Sequence, residues 1–164
     1  MEFDIKDPKT IGLFTFIGAI LMIVAYFVDW ASITSYVANH SVGTVNIDAG
    51  DIADADDWQK YIPMLGLVFG IIIVVIELLN FFVPGALDKL ATIIPIIVFV
   101  FGILAVVFAI MFMTWDVWDS HMVAGNGTKS SMGLGFYLLL AGGIVTLIFS
   151  IGQAIPAIKA LGKN

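Results

Sequence analysis

Long apolar stretches alternate with shorter polar ones along this chain. Four of the apolar stretches are long enough to cross about 30 Å of hydrocarbon as helices. They lie at about residues 11–28, 62–83, 93–113 and 133–155. Pro84 and Pro156 follow predicted span ends, where a helix should stop. The pattern predicts an all-α membrane protein in which residues 1–164 form a single four-span membrane domain.

Small residues recur along each predicted span at steps of three and four, which places them on one face of a helix. In lipid, small residues allow helix backbones to approach closely. The helix-packing residues predicted in this way are Gly12, Ala19, Gly66, Gly70, Gly102, Ala105, Ala109, Gly142, Thr146 and Ser150. The short inner loop at residues 84–92 makes the second and third spans antiparallel neighbours. We therefore expect a four-transmembrane-helix antiparallel bundle.

The two longer connections, residues 29–61 and 114–132, differ in their patterns. In the first, apolar and polar residues alternate over residues 33–37 and again over 44–47. Alternation with a period of two is typical of strands, so this loop predicts a short β-hairpin. In the second, residues 124–131 read AGNGTKSS, which predicts a flexible turn.

The lysines predict how the chain crosses the membrane. Two of the seven, Lys60 and Lys129, lie on one side of the predicted spans. The five on the other side are Lys6, Lys9, Lys89, Lys159 and Lys163. The lysine-rich side should be cytoplasmic. Both termini of this multi-pass protein of the cell membrane are then cytoplasmic, and the two longer loops are outside.

The predicted outer loops carry aromatic residues and glycosylation sequons. All four tryptophans fall at outer span ends, as expected for an interfacial belt: Trp30, Trp58, Trp115 and Trp118. Asn39 and Asn126 each begin an N-glycosylation sequon, and both lie in loops assigned to the outside.

Composition excludes several classes of function. The chain is 60% hydrophobic and only 12% charged, whereas a soluble domain is about 25% charged. It contains no cysteine, which excludes disulfides and zinc–thiolate sites. A net charge of −6 without a basic patch excludes nucleic-acid partners. No catalytic triad, phosphate loop or paired-carboxylate motif is present, so we expect neither an enzyme nor a cofactor.

Glu77 is the one ionisable residue within a predicted span, and Asn80 lies on the same helix face. A charge at this depth is costly, so such a residue is a candidate functional site. One interpretation is a hydrogen-bonded glutamic acid that ties helices together, with Ser150 or Thr15 as its partner. The other is a proton or cation carrier in a small channel or transporter subunit. We favour the structural interpretation.

Acidic residues are concentrated in the stretch DIADADDW at residues 51–58. Carboxylates are the ligands that divalent cations such as calcium prefer, but the stretch lacks the turn glycine and terminal glutamate of an EF-hand. A solvated acidic loop is the favoured interpretation, and a divalent-cation site on the outer face is the alternative. Its candidate ligands are Asp48, Asp51, Asp54, Asp56, Asp57, His40 and His121.

The order of predicted elements is helix, long loop with a hairpin, helix, short turn, helix, shorter loop and helix. This order resembles the claudin-type tetraspan layout, and Trp30 is placed similarly. The claudin Trp/Leu/Trp pattern followed by two cysteines is absent. Residues 26–30, YFVDW, and 133–143, GLGFYLLLAGG, are similar to stretches of small prokaryotic four-span membrane proteins. That group implies no catalytic residues.

These observations favour a non-enzymatic integral membrane protein whose partners are the lipid bilayer and other membrane protein chains. It would be an accessory subunit of a membrane complex or a self-associating surface tetraspan. A channel or transporter subunit that uses Glu77 is the first alternative. A metal-binding accessory protein of the outer face is the second.

Because the chain lacks cysteine, its orientation can be tested with single introduced thiols. An impermeant thiol reagent applied to intact cells should label Asn126→Cys and should leave Gly162→Cys unlabelled. The reverse labelling pattern would invert the predicted orientation.

Overall fold

The computed structural model describes residues 7–83 and 85–162 and is 66% helical. Its α-helices, in chain order α1 to α5, are Pro8–Ala25, Ala49–Ala53, Ile62–Phe82, Ile94–Met113 and Leu134–Leu161. All except the short α2 are long and apolar enough to cross a membrane. The prediction of four helices long and apolar enough to cross a membrane is thus confirmed, and these helices are compatible with a multi-pass membrane protein.

A four-stranded antiparallel sheet lies at one end of these helices. Its strands, β1 to β4 in chain order, are Ala31–Val37, His40–Ile47, His121–Val123 and Asn126–Met132. Their order across the sheet is β2-β1-β4-β3. The β1–β2 hairpin confirms the strand prediction for the first loop. We call this end of the molecule the sheet end, and the end that carries residues 85–93 the short-loop end.

The sheet corrects two expectations, the all-α class and the flexible turn at residues 124–131. Only Ala124 and Gly125 form the turn, both with positive φ (48° and 80°), and β4 follows at once. Strand β4 lacks an apolar alternation, but its backbone pairs with β1 on one side and β3 on the other. Two ladders of backbone hydrogen bonds therefore hold a polar segment that has little strand propensity of its own.

Two span ends also differ from the prediction. Helix α1 begins at Pro8. It ends at Ala25, where the Trp30 indole donates a hydrogen bond to the carbonyl oxygen (2.7 Å). Helix α5 continues through Pro156 to Leu161. A proline inside a helix removes one backbone hydrogen bond, here the bond to the carbonyl four residues earlier. That carbonyl belongs to the exposed Gly152, while Ala157 beyond the proline is buried and holds the last turns in place.

The four long helices pack through their small residues. Helix α1 contacts α3 and α5, and α4 contacts α5 and, less extensively, α3. All ten predicted helix-packing residues are buried. At Gly70 an added Cβ would lie 2.8 Å from the Ala19 carbonyl oxygen of α1. The backbones of α1 and α3 can therefore approach this closely only with glycine at that position.

Replacing Gly70 with leucine should separate α1 from α3. We expect the free energy of unfolding to fall by about 1–3 kcal/mol, the usual cost of overpacking. Thermal unfolding in mild detergent measures this effect. Gly152→Leu is the matched control, since nothing lies within 4 Å of a Cβ built there. Equal stability of the two variants would show that Gly70 does not determine the packing.

Candidate functional site

Trp30 joins the sheet to the helices. Its side chain is fully buried, and besides the indole bond to Ala25 its backbone N–H donates to the Ile47 carbonyl of β2 (2.8 Å). Its own carbonyl accepts from the N–H of Gly133, immediately before α5 (2.8 Å). The residue therefore fixes α1, the β1–β2 hairpin and the start of α5 relative to one another.

Three tryptophans form a buried aromatic cluster instead of an interfacial belt. The Phe112 ring lies 5.0 Å from that of Trp30 and 5.2 Å from that of Trp118, and Trp115 contacts Trp118 at 5.6 Å. Rings of this size bury large apolar areas, and here they fill the junction between helix ends and outer loops. The predicted belt is therefore wrong for these three, and only Trp58, 45% exposed, fits it.

The acidic run serves local structure. Asp48 and Asp51 form a reciprocal capping box at the start of α2: each carboxylate accepts the backbone N–H of the other residue. Asp57 accepts a hydrogen bond from the Trp115 indole (3.0 Å), which links the two long loops. Residues 48–51 carry acidic groups at the capping-box spacing, a signal that could have predicted these caps.

The candidate metal ligands do not converge. Within residues 7–83 and 85–162, no three His, Asp or Glu side chains are grouped so that they could hold a metal ion. His40 lies on β2 and His121 on β3, the two opposite edges of the sheet. Three strand spacings, roughly 14 Å, separate these edges, so the two imidazoles cannot share an ion.

The two sequon asparagines lie together at the hairpin tips. The Asn126 side-chain oxygen accepts the Ala38 backbone N–H (2.9 Å), and the Asn39 backbone N–H donates to the Gly125 carbonyl (2.8 Å). Asn39 itself has φ of 67°, a conformation that asparagine tolerates well. Both asparagines are exposed, and they connect the β1–β2 turn to the β3–β4 turn.

Strand β2 is an exposed sheet edge that the sequence pattern did not single out. Seven of its eight residues are exposed, including Val45 at 67%. Its sequence, HSVGTVNI, contains no lysine, acidic residue or proline. Those are the residues with which proteins usually protect a sheet edge from pairing with another strand. The opposite edge, β3, has only three residues.

Glu77 is buried, with 8% of its surface exposed, and its Oε2 lies against α1. A Cβ added at Gly12 would be 2.9 Å from that oxygen. A cavity of about 400 Å³ opens beside Glu77 at the short-loop end. Asn80, three residues further along α3, lines the same cavity as Glu77.

The expected partners of Glu77 are engaged elsewhere. The Thr15 hydroxyl donates to the Ile11 carbonyl (2.9 Å) and the Ser150 hydroxyl to the Leu147 carbonyl (3.3 Å). Hydroxyl side chains inside helices commonly bond in this way to a carbonyl of the preceding turn. The prediction that one of them binds Glu77 was therefore wrong.

The described lysines keep the predicted division between the two ends. Lys9, Lys89 and Lys159 lie at the short-loop end, and Lys60 and Lys129 at the sheet end. Lys6 and Lys163 lie outside the described residues.

No family model matches this chain, and no curated protein is similar enough to count as a relative.

Trp30→Phe should loosen the junction between the sheet and the helices. The variant loses the indole N–H and leaves the Ala25 carbonyl without that buried partner, which costs about 1–3 kcal/mol of unfolding free energy. Thermal unfolding in mild detergent measures the loss. Trp58→Phe removes an indole that is largely exposed and should change stability much less. A larger loss for Trp58→Phe would contradict this assignment.

Proposed function

We propose that this chain is a non-enzymatic membrane contact protein that associates with a second copy of itself through strand β2. In this proposal the four apolar helices form an antiparallel bundle in the lipid bilayer. The bundle holds the sheet outside the cell, and both termini are cytoplasmic. We also propose that the chain has the claudin-type layout that its order of elements resembles.

The observation that carries the proposal is the unprotected edge of β2. An edge strand leaves a row of backbone N–H and C=O groups unpaired, and another strand can add to it. Strand β2 is eight residues long, contains no lysine or acidic residue, and is exposed along nearly all of its length. It also carries the exposed apolar side chains Val42 and Val45, which a partner strand would cover.

A second copy is the partner that best suits this edge. Two antiparallel β2 strands related by a two-fold axis present the same surface to each other, as in most closed homodimers. The strand has no acidic residue, whereas the nearby acidic residues of the sheet end lie in residues 48–57 and 116–119. Pairing through β2 therefore avoids bringing carboxylates directly opposite one another along the strand.

A channel or transporter subunit that uses Glu77 is the second candidate. The cavity at Glu77 favours it, but the interior on the sheet side of Glu77 is filled by buried side chains. Thr15, Met22, Ile73 and Leu139 are each at most 1% exposed. This packing supports the contact protein over a route for ions through a single copy. Ion flux in reconstituted vesicles that disappears in Glu77→Gln would favour the transporter.

The sequence suggests two further partners, a different membrane protein and a divalent cation. An accessory role would give β2 a different membrane protein as its partner. A divalent cation at the outer acidic loop would act beside such contacts, although Asp48 and Asp51 already serve as helix caps.

Single cysteines along β2 should form disulfide-linked dimers in native membranes, because the chain has no cysteine of its own. Disulfides form only when the two Cα atoms come within about 7 Å. Among Val42→Cys, Thr44→Cys and Val45→Cys, at least one should lie near the two-fold axis and cross-link rapidly. Val123→Cys on β3 is the matched control, since Val123 is 78% exposed on the opposite edge.

Non-reducing electrophoresis measures the cross-linked fraction. If no β2 position cross-links faster than the β3 control, the edge is not a self-contact. Cross-linking of β2 to a different protein would instead support the accessory-subunit alternative.

A further inference from the structure

The cavity at the short-loop end is bounded by three helices and lies outside the contact surface proposed above. Its volume is about 400 Å³. The lining residues come from α1, α3 and α5, and those that matter here are Lys9, Gly12, Glu77, Asn80, Phe81 and Gln153. Asn80 and Gln153 also line a second cavity of about 300 Å³ beside the short loop. The two polar amides thus stand between adjoining spaces.

A lysine and a buried carboxyl group line this cavity without contacting each other. Lys9 is exposed in the first turn of α1, and Glu77 is more than nine-tenths buried on α3. Within the described part of the chain, the two side chains form no ion pair with each other. The absence of a side chain at Gly12 leaves room for the Glu77 carboxyl group, and Asn80 lines the cavity beside it.

In the proposed membrane arrangement, the cavity lies at the depth where lipid headgroups meet hydrocarbon chains. Glu77 is five residues before Phe82, the last residue of α3, which corresponds to about 8 Å of helix. Phe82 is 78% exposed, and Phe81 beside the cavity is 43% exposed. Apolar surface for an acyl chain therefore adjoins a polar space that contains one positive and one negative group.

From this arrangement we propose that the cavity binds the headgroup of a zwitterionic phospholipid with a primary ammonium group. The ammonium donates hydrogen bonds to the Glu77 carboxylate and the Asn80 side-chain oxygen. The phosphate lies at the rim, where Lys9 provides a compact positive charge.

Other ligands match the two charges less well. A free metal cation would bind Glu77 but would be repelled by Lys9. An anionic headgroup without an amine would bind Lys9 but would face the Glu77 carboxyl. A choline headgroup carries the right charges, but its quaternary nitrogen has no hydrogen to donate to a carboxylate or an amide oxygen.

Native mass spectrometry of the full chain in mild detergent tests the proposal. The probes are phosphatidylethanolamine, phosphatidylcholine and phosphatidylglycerol with identical acyl chains. The wild-type chain should bind phosphatidylethanolamine about tenfold more tightly than the other two, as expected for charge-assisted hydrogen bonds. Glu77→Gln should remove most of this preference. Lys9→Gln should weaken the binding of all three lipids, because the proposal places Lys9 beside the phosphate that they share. Lys159→Gln should retain the preference, since Lys159 is exposed at the same end of the molecule outside the cavity.

Equal binding of the three lipids by the wild-type chain would overturn the proposal, as would a preference that survives Glu77→Gln. Stabilisation by sodium or potassium ions that requires Glu77 and is independent of lipid would assign the cavity to a cation instead.

A series of phosphatidylethanolamines whose amine carries one, two or three methyl groups keeps the test valid even if Glu77→Gln fails to fold, because it uses the wild-type chain. Binding should then fall with each methyl group. Dimer formation through β2 should be unchanged in Lys9→Gln, which separates this proposal from the self-contact.

Discussion

The position of Trp30 determines how the rest of the molecule is arranged. A sheet outside the apolar helices needs a rigid connection to them, and every backbone group at that connection needs a hydrogen-bond partner. Trp30 supplies three such bonds, to Ala25 at the end of α1, to Ile47 at the end of β2 and to Gly133 before α5. Asp29, the preceding residue, accepts a fourth from the N–H of Gly135. One dipeptide thus ends a helix, begins a strand and positions the next helix.

This connection makes the two long loops, residues 29–61 and 114–132, a single folded unit. Strand β1 pairs with β2 from its own loop and with β4 from the other loop. The Trp115 indole bond to Asp57 and the contacts of Asn39 and Asn126 join the loops at two further places. The two inner strands of the sheet, β1 and β4, therefore come from different loops. Strand β2 lies at an edge of the sheet, and its far side is unpaired.

The predictability of each element depends on whether its signal is local. Four spans and the β1–β2 hairpin follow from apolar periodicity within one segment. Strand β4 could not be predicted, because its polar sequence becomes a strand only through pairing with β1 and β3. Likewise, a tryptophan at a helix end looks the same in sequence whether it is exposed, as Trp58 is, or part of a buried cluster, as Trp118 is. Glu77 was identified from its position, but its contact with Gly12 depends on how α1 and α3 pack.

Hydrogen–deuterium exchange at two protein-to-lipid ratios tests the central claim, self-association through β2, most directly. Dilution in the bilayer separates copies without changing the sequence, so only amides at a contact between copies should respond. The account predicts that β2 amides exchange more slowly in the crowded membrane than in the dilute one, while β3 amides exchange equally in both. Exchange at β2 that is independent of protein density would contradict it, as would a density-dependent change confined to β3.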